Sequence, residues 1–358
     1  MRVVQIIDSL AGGGAERMAV NYANALAEKI TFSGLIATRK EGILKSQINS
    51  EVSYLFLNKQ KSLDFIAILK LRKFIVKNNV DIIHAHSSSF FTAVLVKLTF
   101  PKIKIIWHDH YGSRVKESAK QNKILICMSV FFSSIFVVNL QLKEWSMKNM
   151  KCSKIIFIPN FATFENESAQ ITHLKGTAGK RIVFLANLKN PKNHILILKA
   201  FYELKLNESD WSLHLIGKDY FDSYSDTIKI FVKSYSLENR VHLYGDKNDI
   251  KFILSQASIG VLSSTEEGFP VTLLEYALES LPVVSTNAGY CSSVIKEGFN
   301  GLLFDPSSDS EAKNQLLKLV ENDLLKKMLG DNFKQSIMKD YSKEVVIEKL
   351  IVAYKNNN

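Results

Sequence analysis

Twelve short apolar runs, many rich in β-branched residues, punctuate this chain, and stretches with helical spacing separate most of them. In the first half they are Val3–Ile7, Ser33–Ala37, Ile82–Ala85, Ile103–Trp107, Ile135–Val138 and Ile155–Ile158. In the second they are Ile182–Leu185, Ser212–Ile216, Val241–Tyr244, Ile259–Leu262, Val283–Ser285 and Gly301–Phe304. A strand apolar on both faces must be covered on both, and strands that alternate with helices meet that need as parallel sheets with helices on either side. Between Phe161 and Lys180 the pattern lapses into polar and small residues, which predicts a linker. A length of 358 residues suits two such domains. Helical spacing is expected over Ala15–Ala27, from about Ser310 to Lys339, and from about Ser342 to Lys355.

The composition, 46% hydrophobic and 23% charged, is that of a globular protein. Three cysteines, Cys127, Cys152 and Cys291, fit neither a metal clip nor a disulfide framework, and no signal-peptide pattern opens the chain. A reducing cytoplasm and three buried free thiols are the expectation. The run from Lys123 to Val138 is interrupted by serines and too short to span a bilayer; it reads as a helix end, a turn and a strand.

Net charge is +11, and its distribution is one-sided. Residues 1–165 hold 23 Lys and Arg against 11 Asp and Glu, whereas residues 166–358 hold 23 against 24. The N-terminal half is therefore expected to meet an anionic partner, either lipid headgroups or a pyrophosphate-linked acceptor. Nucleic acid is disfavoured, since no reader motif accompanies the charge. Lys61 to Lys77 interleaves basic and apolar residues; such a helix either covers a sheet or lies on a membrane surface.

Several loops carry candidate chemistry. Residues 263–289 read SSTEEGFPVTLLEYALESLPVVSTNAG. The spacing places Glu267 in the loop after a strand, and the sequence Gly268-Phe269-Pro270-Val271-Thr272 at a helix start, with Glu275 one turn further on. Unpaired amides at a helix N-terminus seat phosphate, and a nearby carboxylate accepts hydrogen bonds from sugar or ribose hydroxyls, a combination that suits a nucleotide sugar. A glycine loop, Gly12-Gly13-Gly14-Ala15-Glu16-Arg17, follows the first strand but is not a dinucleotide fingerprint, because Arg17 stands at the third glycine's place. Trp107-His108-Asp109-His110-Tyr111-Gly112 ends one strand, and His84 and His86 end another. Two histidines with an aspartate in one short loop, His108-Asp109-His110, make a poor metal site. Asn187, Lys189 and Lys192 follow the first strand of the second half, and Gly217 and Gly245 each end a strand.

The string from Ser263 to Gly289 resembles the Glu-x7-Glu signature of retaining glycosyltransferases of family 4, in which a small-residue strand like Pro282–Thr286 and a glycine like Gly289 follow. Pro159-Asn160 resembles the start of that family's interdomain connection, so the ordered landmarks extend over nearly the whole chain. The resemblance implies an α/β, GT-B architecture: two Rossmann-like domains facing across a cleft. Residues 1–165 would form the acceptor-side domain and 166–341 the donor-binding domain, with a helix at about 342–355 crossing back to the first.

It further implies a donor that is a nucleoside diphosphate sugar, UDP-linked, and a carbohydrate or lipid-linked acceptor in bacterial surface polysaccharide synthesis. His110, with His108 as the other choice, and Glu267 would hold the transferred sugar, and Glu275 the ribose. Gly13, Gly14, Lys192 and residues 268–272 would face the phosphates. The family pairs Arg with Lys five residues apart; here Asn187 replaces the Arg, and Lys189 is the candidate substitute. Gly217 and Gly245 would border the base pocket, and Glu16, His108 and His86 the acceptor side. No Asp-x-Asp ends a strand, so no metal is expected. A cytoplasmic protein, docked peripherally on the inner membrane through its basic half, follows. A sugar-nucleotide epimerase of the same architecture is the alternative, and an NAD-dependent oxidoreductase a weaker one.

Overall fold

The computed structural model describes residues 1–164 and 170–356. The expected boundary between 165 and 166, and part of the expected linker, lie outside the described residues. Two compact units emerge: Met1–Phe161 with Lys343–Asn358, and Ala162–Ser342.

The first unit runs β1 (Arg2–Ser9), α1 (Gly14–Ala27), β2 (Phe32–Lys40), β3 (Ser53–Phe56), α2 (Phe65–Lys77), β4 (Ile82–His86), α3 (Phe90–Thr99), β5 (Lys104–Asp109), α4 (Lys123–Met128), β6 (Ser134–Val137), α5 (Leu140–Asn149) and β7 (Ile155–Phe157). Its strands form one parallel sheet in the order β3-β2-β1-β4-β5-β6-β7. Strand β3 has no counterpart among the expected runs. It lies at the sheet edge with every residue half-exposed, so burial imposes no apolar pattern on it.

The second unit runs β8 (Arg181–Leu185), α6 (His194–Glu203), β9 (Ser212–Ile216), α7 (Ser223–Ser234), β10 (Val241–Gly245), α8 (Ile250–Ser255), β11 (Ile259–Leu262), α9 (Val271–Leu278), β12 (Val283–Thr286), α10 (Cys291–Val294), β13 (Leu302–Phe304), α11 (Asp309–Glu321) and α12 (Asp323–Tyr341). Its parallel sheet has the order β10-β9-β8-β11-β12-β13. Where one helix was expected from Ser310 to Lys339 there are two. Asn322 takes an extended conformation between them and its side chain accepts from the Leu325 N–H, which caps α12. The last helix, α13 (Lys343–Lys355), belongs to the first unit, packs on α1 and buries Leu350 and Tyr354.

Both sheets reverse their winding once, between β1 and β4 and between β8 and β11. At such a point the loops leaving two neighbouring strands diverge and open a crevice at the strands' carboxyl ends. The loops there begin at Leu10, Ser87, Ala186 and Ser263.

Polar residues intrude on the first sheet. His84, His86 and His108, on β4 and β5, are fully buried, and Gln5 on β1 is buried beside them. Burial penalises charge, and it pushes all three imidazoles well below 6.5. It also pushes His194 and His214 of the second unit to about 3. Groups held neutral by folding, yet able to take a proton once unfolded, make stability fall with pH. The loss begins at the unfolded value of about 6.5 and continues downward until the folded rings themselves charge. Each such histidine contributes about 1.4 kcal/mol per pH unit within that window. Urea midpoints followed by fluorescence should therefore drop steeply from about pH 7 to about pH 5; a flat profile would show that the histidines are not held neutral.

Candidate functional site

In the second unit the candidate residues converge on the crevice between β8 and β11. Lys192 Nζ lies 2.6 Å from Glu267 Oε1, with the two side chains only 22% and 9% exposed. Their loops are stitched together. The Ser263 hydroxyl donates to the carbonyls of Asn193, at 2.8 Å, and Lys192, at 3.1 Å, and the Thr265 N–H donates to the Pro191 carbonyl. Gly289 presses from the far side: its φ is +58°, and a Cβ built there would stand 1.8 Å from the Glu267 carbonyl oxygen. Only glycine meets both conditions.

The start of α9 is anchored to the end of β8. Strands β8 and β11 pair through only Ile182–Ile259 and Val183–Gly260, and then Tyr276 enters between them. Its ring lies against Gly260, and its hydroxyl accepts from the Leu185 N–H and donates to the Val261 carbonyl. The Thr272 hydroxyl donates to the Leu185 carbonyl at 3.3 Å, and Phe269 stacks on Tyr290. The helix start at Pro270 and Val271 therefore stands beside the Lys192–Glu267 pair, with Gly268 and Phe269 in the joining loop. Glu275 is buried one turn into α9.

Asn187 has a backbone partner: its side-chain carbonyl accepts from the Lys218 N–H at 2.9 Å and ties the loop after β8 to the loop after β9. Lys189 and Lys218 carry ammonium groups over the face of Tyr220, at 5.9 and 5.0 Å. Positive charge near Asn187 thus comes from two lysines, of which Lys218 was not anticipated. Gly217 permits the close passage of these loops, since a Cβ there would stand 2.1 Å from the Ala186 carbonyl oxygen. Its N–H donates to the Gly245 carbonyl.

In the first unit the glycine loop ends at Gly13, the N-cap of α1, and the exposed Gly14 opens the helix. Glu16 bends back over this turn. The Ser9 hydroxyl donates to one of its carboxylate oxygens, and the other would stand 2.3 Å from a Cβ on Gly13. The carboxylate thus lies against Gly13, where any larger residue would meet it.

Next to this loop, four imidazoles stack on one face of the sheet. His84 Nε2 is 3.1 Å from His108 Nδ1, and His86 Nδ1 is 2.9 Å from His110 Nε2. His110, at the end of β5, is half-buried, and burial pushes its imidazole down to about 3. Nitrogens of His84, His86 and His108 lie within 4.8 Å of one another, close enough to raise the question of a metal. His84 Nε2 and His108 Nδ1 face each other at hydrogen-bonding distance, however, so one lone pair of that pair is already engaged. Asp109 points elsewhere and pairs with Arg114 at 2.5 Å. Burial raises its carboxyl, which Arg114 opposes.

The expected residues therefore gather at two strand-end crevices, one per unit. Sequence reading missed Gln5, Tyr354, Lys218 and Tyr276. Gln5 carried a signal, a polar residue inside the apolar run Val3–Ile7. The other three carried none, being ordinary residues for their elements.

Residues 12–163 match the family described as Glycosyltransferase Family 4, and residues 166–336 match Glycosyl transferases group 1. The O-antigen biosynthesis glycosyltransferase WbnH of Escherichia coli is 22% identical across 96% of this chain and 95% of its own length. The UDP-Gal:alpha-D-GlcNAc-diphosphoundecaprenol alpha-1,3-galactosyltransferase of Escherichia coli is 23% identical across 80% of this chain and 78% of its own. Among solved structures, Anabaena HepE in complex with UDP and glucose matches with a TM-score of 0.82 at 15% identity, over 99% of this chain and 100% of that one.

Gly289→Ala tests the packing behind Glu267. A left-handed alanine costs about 1–3 kcal/mol, and the overlap with the Glu267 carbonyl adds to it. Thermal unfolding should shift down by several degrees, about 2–4 °C per kcal/mol for a unit of this size; an unshifted transition would show that the Glu267 loop is not pinned there.

Proposed function

The chain belongs to the family 4, group 1 glycosyltransferases and has their GT-B fold, and we propose that it moves a sugar, with retention of configuration, from a UDP-sugar to a carbohydrate on a lipid-linked acceptor. The observation that carries this reading is the Lys192–Glu267 pair at the crevice between β8 and β11. It sets a cation and a hydroxyl acceptor beside a helix start. Leaving diphosphate needs positive charge, and the transferred sugar needs its hydroxyls held.

In this reading Lys192 and the first amides of α9 receive the phosphates, with Lys189 and Lys218 adding charge where Asn187 has none. Glu267 accepts from sugar hydroxyls and Glu275 from the ribose, and in the first unit His110 contacts the sugar. The bond from the sugar carbon to the diphosphate oxygen breaks, a bond to an acceptor hydroxyl forms, and that hydroxyl's proton leaves with the diphosphate. Lysines and amides balance the departing charge without a metal ion. UDP in the Anabaena structure and in the name of the galactosyltransferase supports the donor. The diphosphoundecaprenol acceptor of that enzyme and the O-antigen role of WbnH support lipid-linked surface polysaccharide synthesis, with a hexose or N-acetylhexosamine transferred.

Helix α2 supports docking on an anionic membrane surface at the cytoplasmic face. Asp64 caps it, and Ala67, Ile68, Leu71 and Ile75 are buried on its inner face. Outside, Phe65, Ile66 and Leu69 are 75%, 81% and 60% exposed, with Lys61, Lys70 and Lys73 also at the surface. Among the described residues no helix is long and apolar enough to cross a membrane. Apolar side chains rimmed by lysines suit a helix lying in the headgroup layer.

Thermal unfolding with UDP, with and without EDTA, tests the donor site. UDP at about a hundred times its dissociation constant should add roughly 2.7 kcal/mol, EDTA should leave that gain intact, and Lys192→Ala should abolish it. Stabilisation by NAD alone, or a UDP effect lost in EDTA, would overturn the proposal. UDP release from UDP-sugar that depends on an added acceptor separates transfer from epimerisation. For docking, sedimentation with phosphatidylglycerol vesicles at low salt should retain the protein, and Phe65→Ser with Ile66→Ser should release it. Equal binding to neutral vesicles would defeat the electrostatic part of the idea.

A further inference from the structure

The four stacked histidines form two hydrogen-bonded pairs, and one glutamine joins them. The Gln5 amide oxygen lies 2.8 Å from His86 Nε2, and its amide nitrogen lies 3.4 Å from the Tyr354 hydroxyl of α13. That hydroxyl is 2.6 Å from His84 Nδ1. One branch therefore runs Gln5–Tyr354–His84–His108, the other Gln5–His86–His110. At their far ends His108 Nε2 and His110 Nδ1 are buried and have no hydrogen-bond partner.

A neutral imidazole has one N–H and one lone pair, so a choice made at one end of such a chain propagates to the other. The Gln5 oxygen can only accept, so His86 Nε2 holds its proton and His86 Nδ1 is bare. His110 Nε2 must then donate, which leaves His110 Nδ1 bare. On the other branch the Gln5 amide donates to Tyr354, the Tyr354 hydroxyl donates to His84 Nδ1, and His84 Nε2–H donates to His108 Nδ1. All four rings take the same form, protonated on Nε2. Turning the amide over would reverse every bond and protonate all four on Nδ1. Any mixture sets two donors or two lone pairs against each other, or leaves the Tyr354 O–H without an acceptor, inside the protein, where an unmade hydrogen bond is costly.

We infer that Gln5 is a positioning residue whose amide holds the four rings in one common tautomer, which leaves His110 Nδ1, at the end of β5, as a bare and unpartnered lone pair. The use of that lone pair rests on the proposed contact of His110 with the transferred sugar; the common tautomer does not. Desolvation keeps the rings uncharged, which the arrangement requires.

Isotope-labelled histidine in the full-length protein, read by long-range proton–nitrogen correlation, reports which ring nitrogen holds each proton. The expected result is Nε2–H for His84, His86, His108 and His110 alike. Gln5→Met keeps the bulk but removes the amide, and should leave His86 and His110 exchanging between tautomers. Tyr354→Phe should release His84 and His108 while His86 and His110 stay fixed. Differing tautomers in the unaltered protein, or Gln5→Met with all four rings still locked, would overturn the inference. Should Gln5→Met fail to fold, the unaltered protein and Tyr354→Phe decide the matter. Sugar transfer by Gln5→Met should fall on the order of tenfold in kcat/KM, the effect of one weakened hydrogen bond. Released tautomers with unchanged transfer would uphold the network and remove His110 from the sugar contact.

Discussion

Every strand pair among the described residues is parallel, and the remaining architecture follows from that one constraint. A parallel pair cannot be closed by a tight turn, so the chain must cross back over the sheet between strands, mostly through a helix. All loops that leave the strands' carboxyl ends then gather along one edge. Where the winding reverses they part, and the crevice is available to a ligand without any cost to the core. Gly13 and His86 flank one such point, and Asn187 and Glu267 flank the other.

In the second unit the crevice is made rigid by backbone crowding as much as by side chains. Gly217 and Gly289 allow strand-end loops to touch backbone to backbone, and Tyr276 fills the opening where β8 and β11 separate. Lys192 and Glu267 are held within that frame. An ion pair removed from water is weak evidence of stability, since desolvation offsets much of its attraction. Its consequence is positional: the pair fixes the Lys192 and Glu267 side chains against one another at the strand ends.

The first unit solves a different problem. Imidazoles inside a sheet covered on both faces are tolerable only if neutral and hydrogen-bonded. Tyr22, whose ring lies 5.7 to 6.0 Å from those of His84, His86 and His108, packs against the group. Contact with Tyr354 and Gln5 gives His84 Nδ1 and His86 Nε2 their partners. Helix α13 is thereby more than a tail, because its Tyr354 completes a network that begins on β1.

Twelve strands were legible because a strand buried on both faces must be apolar throughout, whereas β3, half-exposed at an edge, escapes that rule. The break at Asn322 was hidden for a related reason: an amide side chain caps a helix only if the backbone chooses to turn there. Glu267, Lys192, His110 and the glycine loops were visible as residue types at strand ends, and so was the family. What the sequence alone determined was thus local, namely periodicity, turn chemistry and the order of motifs. Which residues meet was decided by the tertiary structure. Lys192 and Glu267 are 75 positions apart, and Gln5 and Tyr354 are 349 apart. Contacts across such separations depend on strand order and sheet register, and neither leaves a trace in the spacing of neighbouring residues.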